Sequence, residues 1–128
     1  MPDDVTYVPR RPTGQQHEIV AEVDGRTQRM VIAEVGAALR VLQVDSTDLV
    51  QSYPDHALPP FCSGIVLAPW PNRIRDGIWE HGGVTHQLDI TEVDRENAIH
   101  GLLQHAPYRL AERDDVSVTL AAWDWPMR

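Results

Sequence analysis

The chain has 128 residues, enough for one modest domain and too few for two. Its formal charge of −8, from 11 basic and 19 acidic residues, opposes nucleic acid and anionic membrane surfaces, because phosphate binding needs a basic field. An apolar content of 42% allows a core, and a single cysteine, Cys62, excludes an internal disulfide and suits a reducing compartment.

The opening MPDDVTYVPRRPTGQQ holds no apolar run of signal-peptide length, and no run elsewhere approaches a membrane span. A cytoplasmic protein is expected, with a flexible arm over residues 1–16 and one β domain over 17–128. HEIVAEV (17–23) alternates, setting Ile19, Ala21 and Val23 on one face. DGR (24–26) is a hairpin turn signal, and QRMVIAEV (28–35) is the return strand. GAALRVLQV (36–44) reads as a strand rather than a helix, because it is short and rich in β-branched residues.

DSTD (45–48) is a turn, LVQSY (49–53) a short run, and PDHALPP (54–60) a loop. SGIVLAPW (63–70) is strand-like up to Pro69. GIWEHGGVTHQL (77–88) is a hairpin turning at HGG, and 89–110 is irregular, with one helical turn near Gly101–Gln104. YRLAERDD (108–115) and VSVTLAAW (116–123) form a last antiparallel pair around Asp114–Asp115. Many short strands without repeats predict an all-β antiparallel sandwich.

Six histidines raise the question of metal, but no cysteine accompanies them and no His-x-x-x-His spacing occurs, so no metal site is expected. Cys62 is expected as a small apolar filler. Trp79 and Trp123, on strand-like runs, are expected in the core. Trp70 differs, because prolines on both sides fix it in an extended turn at the rim of a site. Asn72 and Arg73 follow at once, and at a strand end they can donate several hydrogen bonds to a polyol or a carboxylate. In NAIHG (97–101), His100 follows two apolar residues and precedes a glycine that permits a tight backbone. A buried structural role and a ligand-facing role are both open for it.

GIVLAPWPNRIRDG (64–77), HGGVTHQL (81–88) and NAIHGL (97–102), in this order, resemble the aldose 1-epimerase (galactose mutarotase) family. The resemblance extends through EVGAALRVLQVDSTDLVQSY (34–53) and covers roughly residues 18 to 126. It implies a large antiparallel β-sandwich and the interconversion of α and β anomers of free aldoses such as galactose or glucose, with no cofactor and no metal. Ring opening needs a base for the C1 hydroxyl proton and an acid for the ring oxygen. By resemblance Asn72 and Arg73 are a sugar-binding pair, and Trp70 joins them at the substrate. His100 matches the family's first active-site histidine, near the ring oxygen and C1 hydroxyl, a catalytic as well as a binding role.

Family members are well over twice as long. Their general-acid histidine, a sugar-binding aspartate and the general-base glutamate follow the stretch that matches Trp125–Pro126. The resemblance therefore implies an N-terminal portion of a mutarotase, inactive alone, with open strand edges for a missing half or for self-association. Two other readings stand beside it: a non-catalytic carbohydrate-binding or sensing module, and an inert remnant.

Overall fold

The computed structural model describes residues 10–124. Strand β1 (Gln16–Val23) and β2 (Arg26–Ala33) pair antiparallel from Gln16↔Ala33 to Val23↔Arg26. The two residues between them, Asp24 and Gly25, both have positive φ, which gives the turn the hand that matches strand twist. Asp45 and Ser46 repeat the device between β3 (Leu39–Val44) and β4 (Thr47–Asp48). The result is a four-stranded sheet in the order β1-β2-β3-β4, with a register shift between Val31 and Ile32 where β2 meets β3.

Burial follows position along the hairpin more than choice of face. Ile19 and His17 are buried on one side of the sheet, and Val31, Ala33 and Val41 on the other. Toward the tip, Ala21 is half-buried and Val23 exposed. In the apolar run of β2, Val31 and Ala33 are buried and Met30 and Ile32 half-buried, as suits a strand paired on both edges.

Among the described residues, three two-stranded ladders accompany this sheet. β5 (Arg73–Arg75) lies antiparallel to β8 (Asn97–Ile99), and they enclose a hairpin of β6 (Ile78–His81) and β7 (Val84–Gln87). Gly82 and Gly83 turn that hairpin, as HGG predicts. β9 (Arg109–Arg113) and β10 (Val118–Ala121) form the last pair. Their turn is built by Asp114, whose carboxylate accepts from the amides of Val116 and Ser117 at 2.8 and 2.7 Å. Tyr108 and Gly36 tie this region to the main sheet, through Tyr108 N to Glu34 O at 2.8 Å and Gly36 N to Ala106 O at 2.9 Å.

Several expectations are corrected. SGIVLAPW is no ladder strand. Leu39 N donates to Gly64 O, Val66 N donates to Gly36 O, and Ala68 makes one parallel bridge to Gly101. Gly64 sits at positive φ, and Pro69 and Pro71 have no N–H to give, so regular pairing stops there. Short 3₁₀ turns fall at Pro60–Cys62 and Val93–Arg95, not at Gly101–Gln104. Cys62 is half-exposed at the first of these rather than a buried filler. Residues 1–9 of the expected arm lie outside the described residues, but Thr13 is fully buried and its carbonyl accepts from Val35 N at 3.0 Å.

His17 is buried, and its pKa is lowered, chiefly by desolvation, then by Arg113, against a smaller opposing pull from Glu34. Because the folded value lies below the unfolded one, the unfolded chain takes the proton first as pH falls below about 6.5. Thermal melts should therefore show Tm falling from pH 7.5 to pH 5.5, and the drop should shrink in His17→Phe. An equal drop in both proteins would contradict this role for His17.

Candidate functional site

The β5–β8 ladder is only three residues long, and each end is closed by a pair in left-handed backbone conformation. Asn72 (φ 61°) faces His100 (φ 62°) at one end, and Asp76 (φ 56°) faces Glu96 (φ 56°) at the other. Such conformations cost roughly 1–2 kcal/mol for non-glycine residues, least for Asn, Asp and His, and they concentrate at functional positions. His100 N donates to Asn72 O at 2.9 Å, and Asn72 N donates to His100 Nδ1 at 3.1 Å. Since Nδ1 accepts, the neutral imidazole carries its proton on Nε2. His100 is thus prepared as a hydrogen-bond donor through that atom.

Arg73 is held by a carboxylate that sequence reasoning missed. Its Nε donates to Glu92 Oε2 at 2.7 Å and its Nη2 to Glu92 Oε1 at 2.8 Å, a two-pronged pair. Nη1 donates to Asn72 Oδ1 at 3.2 Å. Asn97 Nδ2 donates to Glu92 Oε2 at 2.7 Å. The guanidinium beside Glu92, helped by Asn97, holds the Glu92 carboxyl at about 2. Four side chains, Asn97, Glu92, Arg73 and Asn72, are therefore joined in one hydrogen-bonded chain, and the His100 ring joins it through the backbone N–H of Asn72. The only sequence hint of Glu92 was a carboxylate five residues before NAIHG, inside a stretch without period.

Gly101 latches the proline turn to this ladder. Leu102 N donates to Ala68 O at 2.8 Å, and a Cβ on Gly101 would lie 2.0 Å from that same oxygen. Its φ of 75° is a further reason for glycine. Trp70 is half-buried and helps line a cleft of about 350 Å³ with Thr91, Ala98, Gly101, Gln104 and His105. Its Nε1 is buried without a hydrogen-bond partner among the described residues. A larger cleft of about 440 Å³ is walled by Trp79, His86, Leu102, Leu103 and Trp123. Neither cleft is lined by Asn72, Arg73 or His100, which share an open surface in which Asn72 and Arg73 are exposed and His100 half-buried.

The expected core positions of Trp79 and Trp123 are not observed: they are 43% and 76% exposed. Trp79 stacks on His86, its cross-strand partner, with ring centroids 4.7 Å apart, and His81 lies 5.9 Å from the same indole. Every residue of β6 and β7 is exposed, and among the described residues no layer covers this face.

This antiparallel β arrangement is that of a carbohydrate-epimerase fold. The galactose 1-epimerase structure from Lactobacillus acidophilus NCFM matches with a TM-score of 0.51 at 21% identity, over 77% of this chain and 35% of that one. The aldose 1-epimerase family model matches residues 20–128, and the chain belongs to that family. The uncharacterized protein YihR of Escherichia coli K12 is 39% identical over 92 residues, which span 72% of this chain and 30% of YihR. The chain thus spans about a third of the length of these relatives.

Two outcomes test the geometry. Gly101→Ala should destabilise the protein by about 3 kcal/mol in urea unfolding, since clash and backbone strain act together. For Glu92, the folded pKa lies below the unfolded one. The pair's stabilisation should therefore be complete above about pH 4.5 and disappear as pH falls toward 2. Carbon-13 NMR should find the Glu92 carboxyl titrating near 2, and Arg73→Ala should return it toward the ordinary carboxylate range.

Proposed function

We propose that Asn72, Arg73 and His100 hold a free aldose, such as galactose or glucose, in a mutarotase-type site, with Trp70 at its rim. The observation that carries this reading is the convergence of the two motifs. Asn72 and His100 lie 28 residues apart and exchange two hydrogen bonds, with Arg73 joined to Asn72. The donors present are Nε2–H of His100 and the N–H groups of Arg73, which suit neutral hydroxyl and ring oxygens.

In the reaction, a base removes the C1 hydroxyl proton while an acid protonates the ring oxygen, and the C1–O5 bond breaks to give the open aldehyde. Rotation about C1–C2 and closure on the other face invert the anomer, and the two proton transfers reverse. His100 contributes at the ring oxygen and C1 hydroxyl. In this reading the principal acid and base are those that the resemblance places after the stretch matching Trp125–Pro126, in further polypeptide of the epimerase fold. Glu92, the carboxylate in this network, is a poor base at neutral pH because Arg73 holds it near 2. That observation equally favours a second reading, a carbohydrate-binding module that holds sugar without turning it over. In both readings the protein works in the reducing cytoplasm on a soluble small molecule.

Titration of the 128-residue chain with galactose, followed by amide NMR, should show weak, saturable shifts at Asn72, Arg73 and His100, weakened by Arg73→Ala. Polarimetry on freshly dissolved α-galactose should show no acceleration by the chain alone. A protein-dependent rate abolished by His100→Ala would overturn the assignment of acid and base to other polypeptide. Absence of shifts at all three residues would overturn the sugar site.

A further inference from the structure

Glu92 has no counterpart among the residues that the sequence pointed to, yet it makes the closest side-chain contacts to Arg73. We propose that Glu92 is the positioning residue of the site. It fixes the plane of the Arg73 guanidinium and cancels its charge, so that Arg73 reads sugar hydroxyls as part of a neutral pair rather than binding an anion as a free cation. The proposal rests on the sugar-site reading given above.

The donor count supports it. A guanidinium has five N–H groups. Glu92 takes one on Nε and one on Nη2, and Asn72 Oδ1 takes one on Nη1. One N–H on Nη1 and one on Nη2 remain for a ligand, and both lie in a plane already set by the fork. A lysine could not be held this way, because its ammonium is a rotating point charge.

Glu92 is itself anchored. Its N–H donates to Asn97 O at 2.9 Å, its carbonyl accepts from Asn97 N at 3.2 Å, and its carboxylate accepts from the Asn97 side chain. Thr91 Oγ1, next to it, accepts from Ile99 N at 2.9 Å. The carboxylate is consequently fastened to β8 while it grips the first residue of β5. Its side chain is 19% exposed against 42% for Arg73, so Glu92 is the more sheltered partner and Arg73 presents its remaining edge to solvent. An ordinary surface ion pair would need neither the anchoring to Asn97 nor the shared Asn72 contact.

The test uses the full chain and amide NMR titration with D-galactose, with and without inorganic sulfate. Glu92→Gln should weaken galactose about tenfold, the effect of losing one charge-assisted hydrogen bond. It should also make galactose binding fall with sulfate at concentrations that leave the native protein unchanged, because the unbalanced guanidinium now takes the anion. Glu92→Asp should recover part of the affinity and none of the sulfate sensitivity. If Glu92→Gln does not fold, Arg73→Lys decides. It keeps the charge without the fork and should weaken galactose to the same degree. Should Arg73→Ala weaken galactose while Glu92→Gln or Arg73→Lys binds as the native protein does, the positioning role is overturned and the sugar site stands. Unchanged galactose binding in Arg73→Ala would overturn both.

Discussion

The reciprocal hydrogen bonds between Asn72 and His100 close a ladder too short to hold itself together. Three paired residues on each of β5 and β8 offer few backbone bonds, and a two-stranded ladder is marginal in water. Closure at both ends makes it a defined unit. At the Asp76 end, Asp76 N donates to Glu96 O at 2.9 Å. At the Asn72 end, the imidazole itself is a ladder partner. The same bond that stabilises the ladder therefore sets the histidine tautomer. Removing His100 takes away local order, because its ring satisfies the backbone N–H of Asn72.

Arg73 extends this coupling into electrostatics. In an acidic protein an isolated surface arginine would find many transient partners. Here one carboxylate, gripped by Asn97, takes two of its five N–H groups at 2.7 and 2.8 Å. The backbone contributes as well, since Arg73 lies directly opposite Ile99, one residue before His100. Side-chain and main-chain restraints thus act on the same residue. This explains how an exposed Asn–Arg pair can be preorganised at the tip of a short strand, which the neighbouring prolines alone would not achieve.

Local chemistry decided what was legible in the sequence. The β1–β2 and β6–β7 hairpins were readable because Asp24-Gly25 and Gly82-Gly83 are turn residues between alternating runs. The Asp114 turn was readable because aspartate caps its own turn. Asn72, Arg73 and His100 were singled out because proline and glycine beside them imply fixed backbone, and the structure does bring them together. Glu92 was not readable, since a carboxylate in an irregular stretch announces no partner; its role appears only when β8 is paired with β5. SGIVLAPW (63–70), expected as strand-like up to Pro69, forms no ladder strand: its apolar composition suggests one, but Gly64 sits at positive φ and Pro69 and Pro71 lack the N–H groups that pairing requires.

Trp79 and Trp123 fail for a different reason, and it bears on the site. Apolar alternation reports that a face suits burial; it does not report that anything covers it. Among the described residues the buried apolar side chains are few, mainly Ile19, Val31, Ala33, Ala38 and Val41 in or beside the main sheet with Tyr53, Ala98 and Tyr108, while Trp79, Leu102 and Trp123 meet water around an open cleft. Leu102 also lines the cleft of Trp70, and it follows Gly101 and His100 directly. A layer packed over these residues would hide apolar area, and through Leu102 and Gly101 it would also exclude water beside the ladder. Hydrogen bonds from an exposed guanidinium compete with water and contribute little net affinity, whereas the same bonds in a drier setting contribute more. Under the proposed sugar-site reading, affinity at Asn72, Arg73 and His100 is therefore tied to coverage of the Trp79–Trp123 face, even though no residue of the triad lines that cleft.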